Sequence, residues 1–373
     1  MRQAIYHPWL KGRGGAEKVI LEMAKNSEHE TTVFTLFYDE KQTFEEFKDV
    51  DIQVIGSNAQ PRNFLDKGLR FGLGAMIKKL PLEDYDALIV SEAGIGSLSA
   101  IRNHDIPVIG YVHTPLRPAL PEFKKTYRGE KSIFTRPIFD IGIKIYDMLE
   151  RQAWKHFDTV LANSQLTKER IVEKGLKKED EIEVLNPGAE LVEETSDLGK
   201  YFLYPSRFRR YKRQDLAIEA WKQAETQDFD LVLAGAAQEQ DYIQELEGKA
   251  DSSIKFKYDL PGDQWEKQFK NAYGVLFLAE KEDWGIVPIE AGMYGKPTIA
   301  VNEGSPAETV KDRETGFLVE ADSADIAEKI EAMIESREKA EFMGQKAREN
   351  AEKYSWDNFG QKLDGKVSHV ARK

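Results

Sequence analysis

Residues 272–301 read AYGVLFLAEKEDWGIVPIEAGMYGKPTIAV. An apolar run, AYGVLFLA, gives way to a polar loop. Pro288 then looks like the first residue of a helix, and a second apolar run, KPTIAV, follows. Short apolar runs bounded by turn residues read as buried strands. Proline suits a first helical turn, where its missing N–H has no partner to lose. Strand, helix and strand in succession imply a parallel sheet of the α/β kind.

The same alternation runs outward through the chain. RQAIYH, TTVFTLFY, DALIVSEAG, PVIGYVH, DTVLANS and IEVLNPG read as strands in the first half. YFLYPSRF, DLVLAGA, IKFKY, AYGVLFLA, KPTIAV and GFLVE read as strands in the second. Amphipathic stretches such as GAEKVILEMAKN and DLAIEAWKQAE lie between them. About six strands on each side of residue 195 predict two doubly wound domains, 1–195 and 196–354. The join falls in the polar, acidic segment GAELVEETSDLGK, 188–200.

Bulk properties narrow the function classes. A chain of 373 residues with 41% hydrophobic and 32% charged residues has enough apolar material for two cores. It has no cysteine, which excludes disulfides and thiolate metal sites. The first residues, MRQAIYHPWL, lack the apolar core of a signal peptide, and no run approaches the roughly 18 to 20 apolar residues of a membrane span. The expectation is a cytoplasmic protein. A net charge of −12 argues against a general nucleic-acid binder.

In open parallel sheets ligands bind beyond the carboxyl ends of the strands, so the loops there carry the chemistry. In the loop after AYGVLFLA, Glu282 and Glu290 flank the seven residues DWGIVPI. Gly285 lets the backbone turn tightly, and the amides of Trp284 to Val287 are expected to point at an anion. A diphosphate flanked by two polyols would use amides for the phosphates and one carboxylate for each sugar. The same residues also fit a first-turn dipole partner and an exposed loop acid.

Arg207 and Lys212, in YPSRFRRYKRQDLAIEA, follow a strand of the same domain. They could clamp a diphosphate or simply belong to a solvated basic loop. Gly12, Gly14 and Gly15 lie between the first strand and the first helix, in a pattern that differs from the dinucleotide fingerprint. His113 ends a strand before Thr114 and Pro115, with Arg117 nearby. It is either a functional group or a satisfied core hydrogen-bonder. Ser164 reads as a helix N-cap. The Asp-x-Asp triplets Asp49–Asp51, Asp84–Asp86 and Asp228–Asp230 precede strands and so lie at the wrong end of a sheet for a metal-bound nucleotide sugar.

Taken together, the loops resemble glycosyltransferase family 4, whose members are retaining enzymes with the GT-B fold. The resemblance rests on YFLYPSRFRRYKRQDLAIEA, EKEDWGIVPIEAGMYGKPTIAVNEGSPAETV and TGFLV, where an E-x7-E pattern follows R-x4-K. GGAEKVILEMA, YVHTPLRPA and DTVLANSQLTKERI look like the mannosyltransferase-like branch.

This resemblance implies two facing Rossmann-like domains with an interdomain cleft. It also implies that a C-terminal helix, 355–373, anchored by Trp356 and Phe359, crosses back to the N-terminal domain. The N-terminal domain would take the acceptor and the C-terminal domain the nucleotide-sugar donor. Glu282 would bind hydroxyls of the donor sugar and Glu290 those of the ribose. Arg207 and Lys212 would hold the diphosphate as it leaves. Asp283, Trp284, Gly285, Ile286 and Val287 would line the sugar and phosphate. His113 would sit near the reacting carbon, and Gly14 and Gly15 would approach the phosphates or help form the acceptor pocket.

The implied reaction is retaining transfer of a hexose, mannose before glucose, from a nucleotide diphosphate sugar such as GDP-mannose to a hydroxyl. It would use no metal and no cofactor, because Arg207 and Lys212 supply the positive charge. Ala236–Ala237 replace a glycine turn common in relatives, and Lys257–Tyr258 stand where relatives often carry glycine, which leaves the base open between GDP and UDP.

The acceptor would be a glycan or a lipid-linked sugar. Residues 117–146 mix Lys and Arg with Phe and Tyr, which suits peripheral contact at the inner face of a membrane, or an ordinary solvated face. A nucleotide-sugar 2-epimerase and a non-catalytic nucleotide or glycan binder could share the scaffold. The intact E-x7-E and R-x4-K patterns speak against both.

Overall fold

The computed structural model describes residues 1–56, 71–129, 131–193, 195–226 and 228–372. The chain divides into two compact units. The first is Met1–Asn186 with Asp357–Lys373, and the second is Pro187–Trp356.

The first unit holds β1 (Arg2–Tyr6), β2 (Glu30–Thr35), β3 (Asp51–Val54), β4 (Ala87–Ala93), β5 (Val108–Thr114), β6 (Thr159–Ala162) and β7 (Ile182–Val184). They form one sheet in the order β3-β2-β1-β4-β5-β6-β7. The second unit holds β8 (Tyr201–Pro205), β9 (Asp230–Gly235), β10 (Ile254–Tyr258), β11 (Gly274–Phe277), β12 (Thr298–Val301) and β13 (Gly316–Val319). Their order is β10-β9-β8-β11-β12-β13. Both sheets pair in parallel, as in β1 with β4 and β8 with β11.

Parallel strands are buried on both faces by their crossover helices, which is why they read as continuous apolar runs. Ala4 and Ile5 of β1, and Val275 and Leu276 of β11, are wholly buried. Among the described residues, the strand that the sequence pattern does not show is β3. It lies at the sheet edge with its residues largely exposed, so no apolar run marks it.

The strand order reverses direction between β1 and β4 in one sheet and between β8 and β11 in the other. At such a switch point the loops leaving two adjacent strands run to opposite faces and leave a crevice. The loop after β8 carries Arg207 and Lys212, and the loop after β11 carries Glu282.

The units part at Asn186/Pro187 rather than at 195/196 because residues 187–193 and 195–200 pack within the second unit. Ala189 N donates to Tyr354 O at 2.7 Å. Arg348 donates to Val192 O at 2.6 Å. The buried Lys296 donates to Ser196 O at 2.8 Å and Asp197 O at 2.7 Å.

The last helix, Trp356–Val370, starts at the edge of the second unit and belongs to the first from Asp357 onward. Phe359 sets its ring edge-on to Tyr111 at 5.7 Å. Asp364 accepts from Ser27 Oγ and from Glu28 N, both at 2.7 Å. Gly360 runs so close to Asn26 that an added Cβ would lie 2.7 Å from its carbonyl oxygen.

Candidate active site

In the second unit the carboxyl ends of β8 and β11 bring the two predicted loops together. Glu280 N donates to Tyr211 O at 2.9 Å, tying one loop to the other. Lys212 Nζ and the Glu282 carboxylate form an ion pair. Below them Tyr204, buried in β8, donates its hydroxyl to Lys212 O and accepts from Leu278 N at 3.2 Å. Lys212 is 8% exposed and lies over the Phe277 ring at 5.9 Å. A cation held that far from water needs an anionic partner, and Glu282 supplies one. Arg207 is exposed and reaches the Tyr211 hydroxyl at 3.3 Å.

A third loop, the one after β12, fixes Glu282. Its carbonyl accepts from Ser305 N at 3.1 Å and from Ser305 Oγ at 3.0 Å. Gly304 forms a bridge with Glu282 at φ +78°, and an added Cβ would lie 2.8 Å from the Glu282 carbonyl oxygen. Glycine is the residue that takes both that conformation and that approach.

The helix after this loop runs Ile286–Met293, with Gly285 as its N-cap. It therefore starts two residues before Pro288, which still lies in the first turn, where four amides lack intrahelical partners. The expectation of free amides from Trp284 to Val287 needs one correction. Ile286 N closes a tight turn onto Trp284 O at 3.0 Å. Asp283 and Trp284 are buried, and Trp284 packs on Tyr354 at 5.5 Å between ring centres. Its neighbours Ala189, Ile289, Met293 and Ala351 make the indole a core side chain of this unit. Glu290 lies half-buried one turn into the helix.

The two positions that leave the base open are internally bonded. Lys257 donates to Gln268 Oε1 and Tyr258 to Glu247 Oε1, both at 2.7 Å. The Ala236 carbonyl accepts from Phe208 N at 3.0 Å.

In the first unit the switch point gathers a second polar cluster. His113 is the penultimate residue of β5, Ser91 lies in β4 and His7 follows β1. Ser91 Oγ lies 2.8 Å from His7 Nδ1 and 3.0 Å from His113 Nε2. Burial holds both imidazoles below their ordinary value of 6.5, His7 to about 4 and His113, with His7 beside it, to about 3. Both are neutral at neutral pH.

One hydroxyl proton cannot serve both rings, so Ser91 donates to one and accepts from the other. His7 Nε2 is buried without a partner. An orphaned N–H is the costlier of the two choices there, which puts the His7 proton on Nδ1. Ser91 then donates to His113 Nε2, and His113 carries its proton on Nδ1. Neither His7 nor Ser91 stands out in the sequence. His7 at the tip of the first strand was the available signal.

Next to this cluster the Glu92 carboxylate is buried and accepts from Gly94 N at 2.5 Å and from Ser97 N. Burial, with the nearby Glu150 charge, raises it to about 7. Gly14 caps the helix Gly15–Lys25, and a Cβ on it would run into the Glu17 carboxylate. A Cβ on Gly15 would meet nothing within 4 Å, so packing inside the protein does not require glycine there. Ser164 accepts from Thr167 N at 3.0 Å, as a helix cap should. Among the described residues no three His, Asp or Glu side chains converge in a way that would hold a metal ion.

Comparisons with known proteins bear on both units. Residues 13–193 match the model of Glycosyltransferase Family 4, and residues 192–350 that of Glycosyl transferases group 1. The chain is 28% identical over 410 residues to the alpha-1,3/1,6-mannosyltransferase ALG2 of Homo sapiens, covering 96% of this chain and 93% of that one. It is 25% identical to the ALG2 of Kluyveromyces lactis, covering 98% and 84%. Among solved structures it resembles Anabaena HepE in complex with UDP and glucose, with a TM-score of 0.75 at 19% identity over 99% of this chain and 100% of that one. Sucrose-phosphate synthase from Thermosynechococcus elongatus gives a TM-score of 0.75 at 17% identity, over 99% and 98%. At these identities the two structures speak for the fold alone.

Proposed function

Because the chain belongs to the glycosyltransferases, a Family 4 domain followed by a group 1 domain, we propose that it is a retaining mannosyltransferase. It takes mannose from a nucleotide diphosphate sugar, GDP-mannose first, and passes it to a hydroxyl of a glycan or lipid-linked acceptor. The relatives named as mannosyltransferases along nearly the full chain support the sugar. The observation that carries the donor assignment is the ion pair of Lys212 with Glu282 at the β8/β11 switch point, with Arg207 on the same loop as Lys212.

In this reading Lys212 and Arg207 bind the diphosphate and oppose the negative charge that grows as it leaves. Their fixed charge does the work a metal ion would otherwise do, and the reaction needs no cofactor. Glu282 steers Lys212 with one oxygen and takes donor-sugar hydroxyls with the rest of its lone pairs. Glu290 accepts from the ribose. Asp283, Trp284, Gly285, Ile286 and Val287 shape the turn under the sugar and phosphates. A neutral His113 with its proton on Nδ1 is a hydrogen-bond donor to a sugar oxygen and does not add a charge. Gly15, and Gly14 before it, let a phosphate or acceptor oxygen approach the backbone. Retention follows from front-face attack, in which the departing phosphate oxygen takes the acceptor proton.

The test is the shift in melting temperature with GDP-mannose, UDP-glucose, UDP-N-acetylglucosamine, ADP-glucose and the free diphosphates. A donor at about 100 times its Kd stabilises the fold by roughly 2.7 kcal/mol. GDP-mannose is expected to give the largest shift, weakened in Glu282→Ala. No shift with any of them would overturn the donor site.

A further inference from the structure

The helix Arg136–Trp154 has two apolar faces. Phe139, Ile143 and Trp154 are buried in the first unit. Ile138, Ile141, Ile145 and Met148 lie on another face and are all at least half exposed. Their spacing of three, four and three residues places them on one stripe, about 15 Å long at 1.5 Å per residue. Just ahead of the helix Ile133 is 71% and Phe134 85% exposed. Scattered apolar residues on a surface need no explanation, but six on one segment do.

The same segment is basic. Lys125, Arg128 and Lys144 are exposed, and Lys124, Lys131 and Arg136 are half-exposed. Its described acids are engaged by cations. Asp140 pairs with Arg128 at 2.9 Å, Glu122 with Arg170 at 2.7 Å and Asp147 with Lys174 at 3.3 Å. Glu130 lies outside the described residues. This excess of cations stands on a chain whose net charge is −12.

Charge decides between occupants. A second copy docking through the same stripe would form a two-fold interface, which sets a patch against itself. Lys125 and Lys144 would then face a patch of their own sign. A bilayer carrying anionic lipid satisfies both features, since apolar side chains enter the boundary of the acyl chains while cations meet the headgroups. Among the described residues no helix is long and apolar enough to cross a membrane, so the contact is at the surface.

We propose that Ile133, Phe134 and the stripe Ile138, Ile141, Ile145 and Met148 form a docking surface for an anionic lipid bilayer. This deepens the acceptor side of the mannosyltransferase reading and rests on it only for the lipid-linked acceptor. Docking there holds the enzyme on the surface in which such an acceptor is anchored.

The chain has no cysteine, so Ile133→Cys offers a single attachment point for an environment-sensitive fluorophore. With phosphatidylcholine vesicles carrying roughly 30% phosphatidylglycerol, the label is expected to shift to the blue and the chain to sediment with the vesicles. Pure phosphatidylcholine should bind about tenfold more weakly, and salt should weaken the anionic case. The same label at the exposed Glu338→Cys should not move.

Ile141→Asp with Ile145→Asp should abolish sedimentation and leave the GDP-mannose shift in melting temperature as in the wild type. Absent binding to anionic vesicles, equal binding to neutral ones, or unchanged binding of the double variant would each overturn the proposal. So would a wild-type dimer in sedimentation velocity that the double variant splits. Vesicle binding without any shift from a sugar nucleotide would sink the donor reading and leave this one standing.

Discussion

Lys212 and Glu282 stand 70 positions apart in the chain and form an ion pair between the loops after β8 and β11. The pair is screened from water, with the Lys212 side chain 10% and the Glu282 side chain 19% exposed. Removing one member leaves the other charged and poorly solvated.

Stability and catalysis should therefore separate at this pair. Glu282→Ala is expected to cost about 2 kcal/mol in urea unfolding, because Lys212 loses its partner. Lys212→Met combined with Glu282→Leu should return to within about 1 kcal/mol of the wild type, since two apolar groups pack without a desolvated charge. Mannosyl transfer should be absent in both. A double variant that regained turnover would show that the pair serves the fold and not the donor.

Ser91 should act on the reaction through His113. Ser91→Ala removes the hydroxyl that selects the His113 tautomer. Losing one such hydrogen bond, about 1.4 kcal/mol, predicts a roughly tenfold fall in kcat. KM for the donor should stay constant, and Ser91→Thr should restore most of the rate. Nitrogen-15 shifts of the imidazole report the tautomer directly. A Ser91→Ala enzyme with full kcat and an unchanged His113 spectrum would remove the serine from this role.

Acid stability should carry the mark of the two histidines. His7 and His113 are neutral when folded and take a proton near pH 6.5 when unfolded. Below pH 6.5 the unfolded chain binds more protons. Their contribution is thus complete above pH 6.5 and is lost as pH falls towards about 4 for His7 and about 3 for His113. Each amounts to about 1.4 kcal/mol per pH unit. Glu92 runs the other way, its contribution complete below pH 4.5 and lost as pH rises through about 7. The unfolding free energies from urea at pH 6.5 and 5 should therefore differ by about 2 kcal/mol less in His7→Gln than in the wild type. An identical difference in the two proteins would contradict a neutral, buried His7.

Much of this was legible in the sequence. The central strands announce themselves as apolar runs because parallel strands are covered on both faces. The four-residue β3 lies at the sheet edge, is mostly exposed, and leaves no such trace. Glu282 and Lys212 are visible as unusual charges after strands, and their contact follows from the strand order, which a single sequence does not print. Gly304 and Ser305 carry no such mark, because their work is done on a carbonyl of another loop. The same holds for His7 and Ser91. Each is ordinary alone, and the hydroxyl bridge exists only once β1, β4 and β5 lie side by side. The boundary falls before the predicted join because the acidic, weakly patterned segment is not a linker: Lys296, Arg348 and Tyr354 bind its backbone from within the second unit.

The return of residues 357–373 to the first unit sets an order of events during synthesis. Residues 1–186 leave the ribosome first, yet Asn26, Ser27, Glu28 and Tyr111 wait for Gly360, Asp364 and Phe359, which are made only after the whole second unit. The unit begun first is thus finished last. Until then these residues lack the helix that packs on them, and a nascent chain stalled at any point before residue 357 presents that uncovered face to chaperones and proteases.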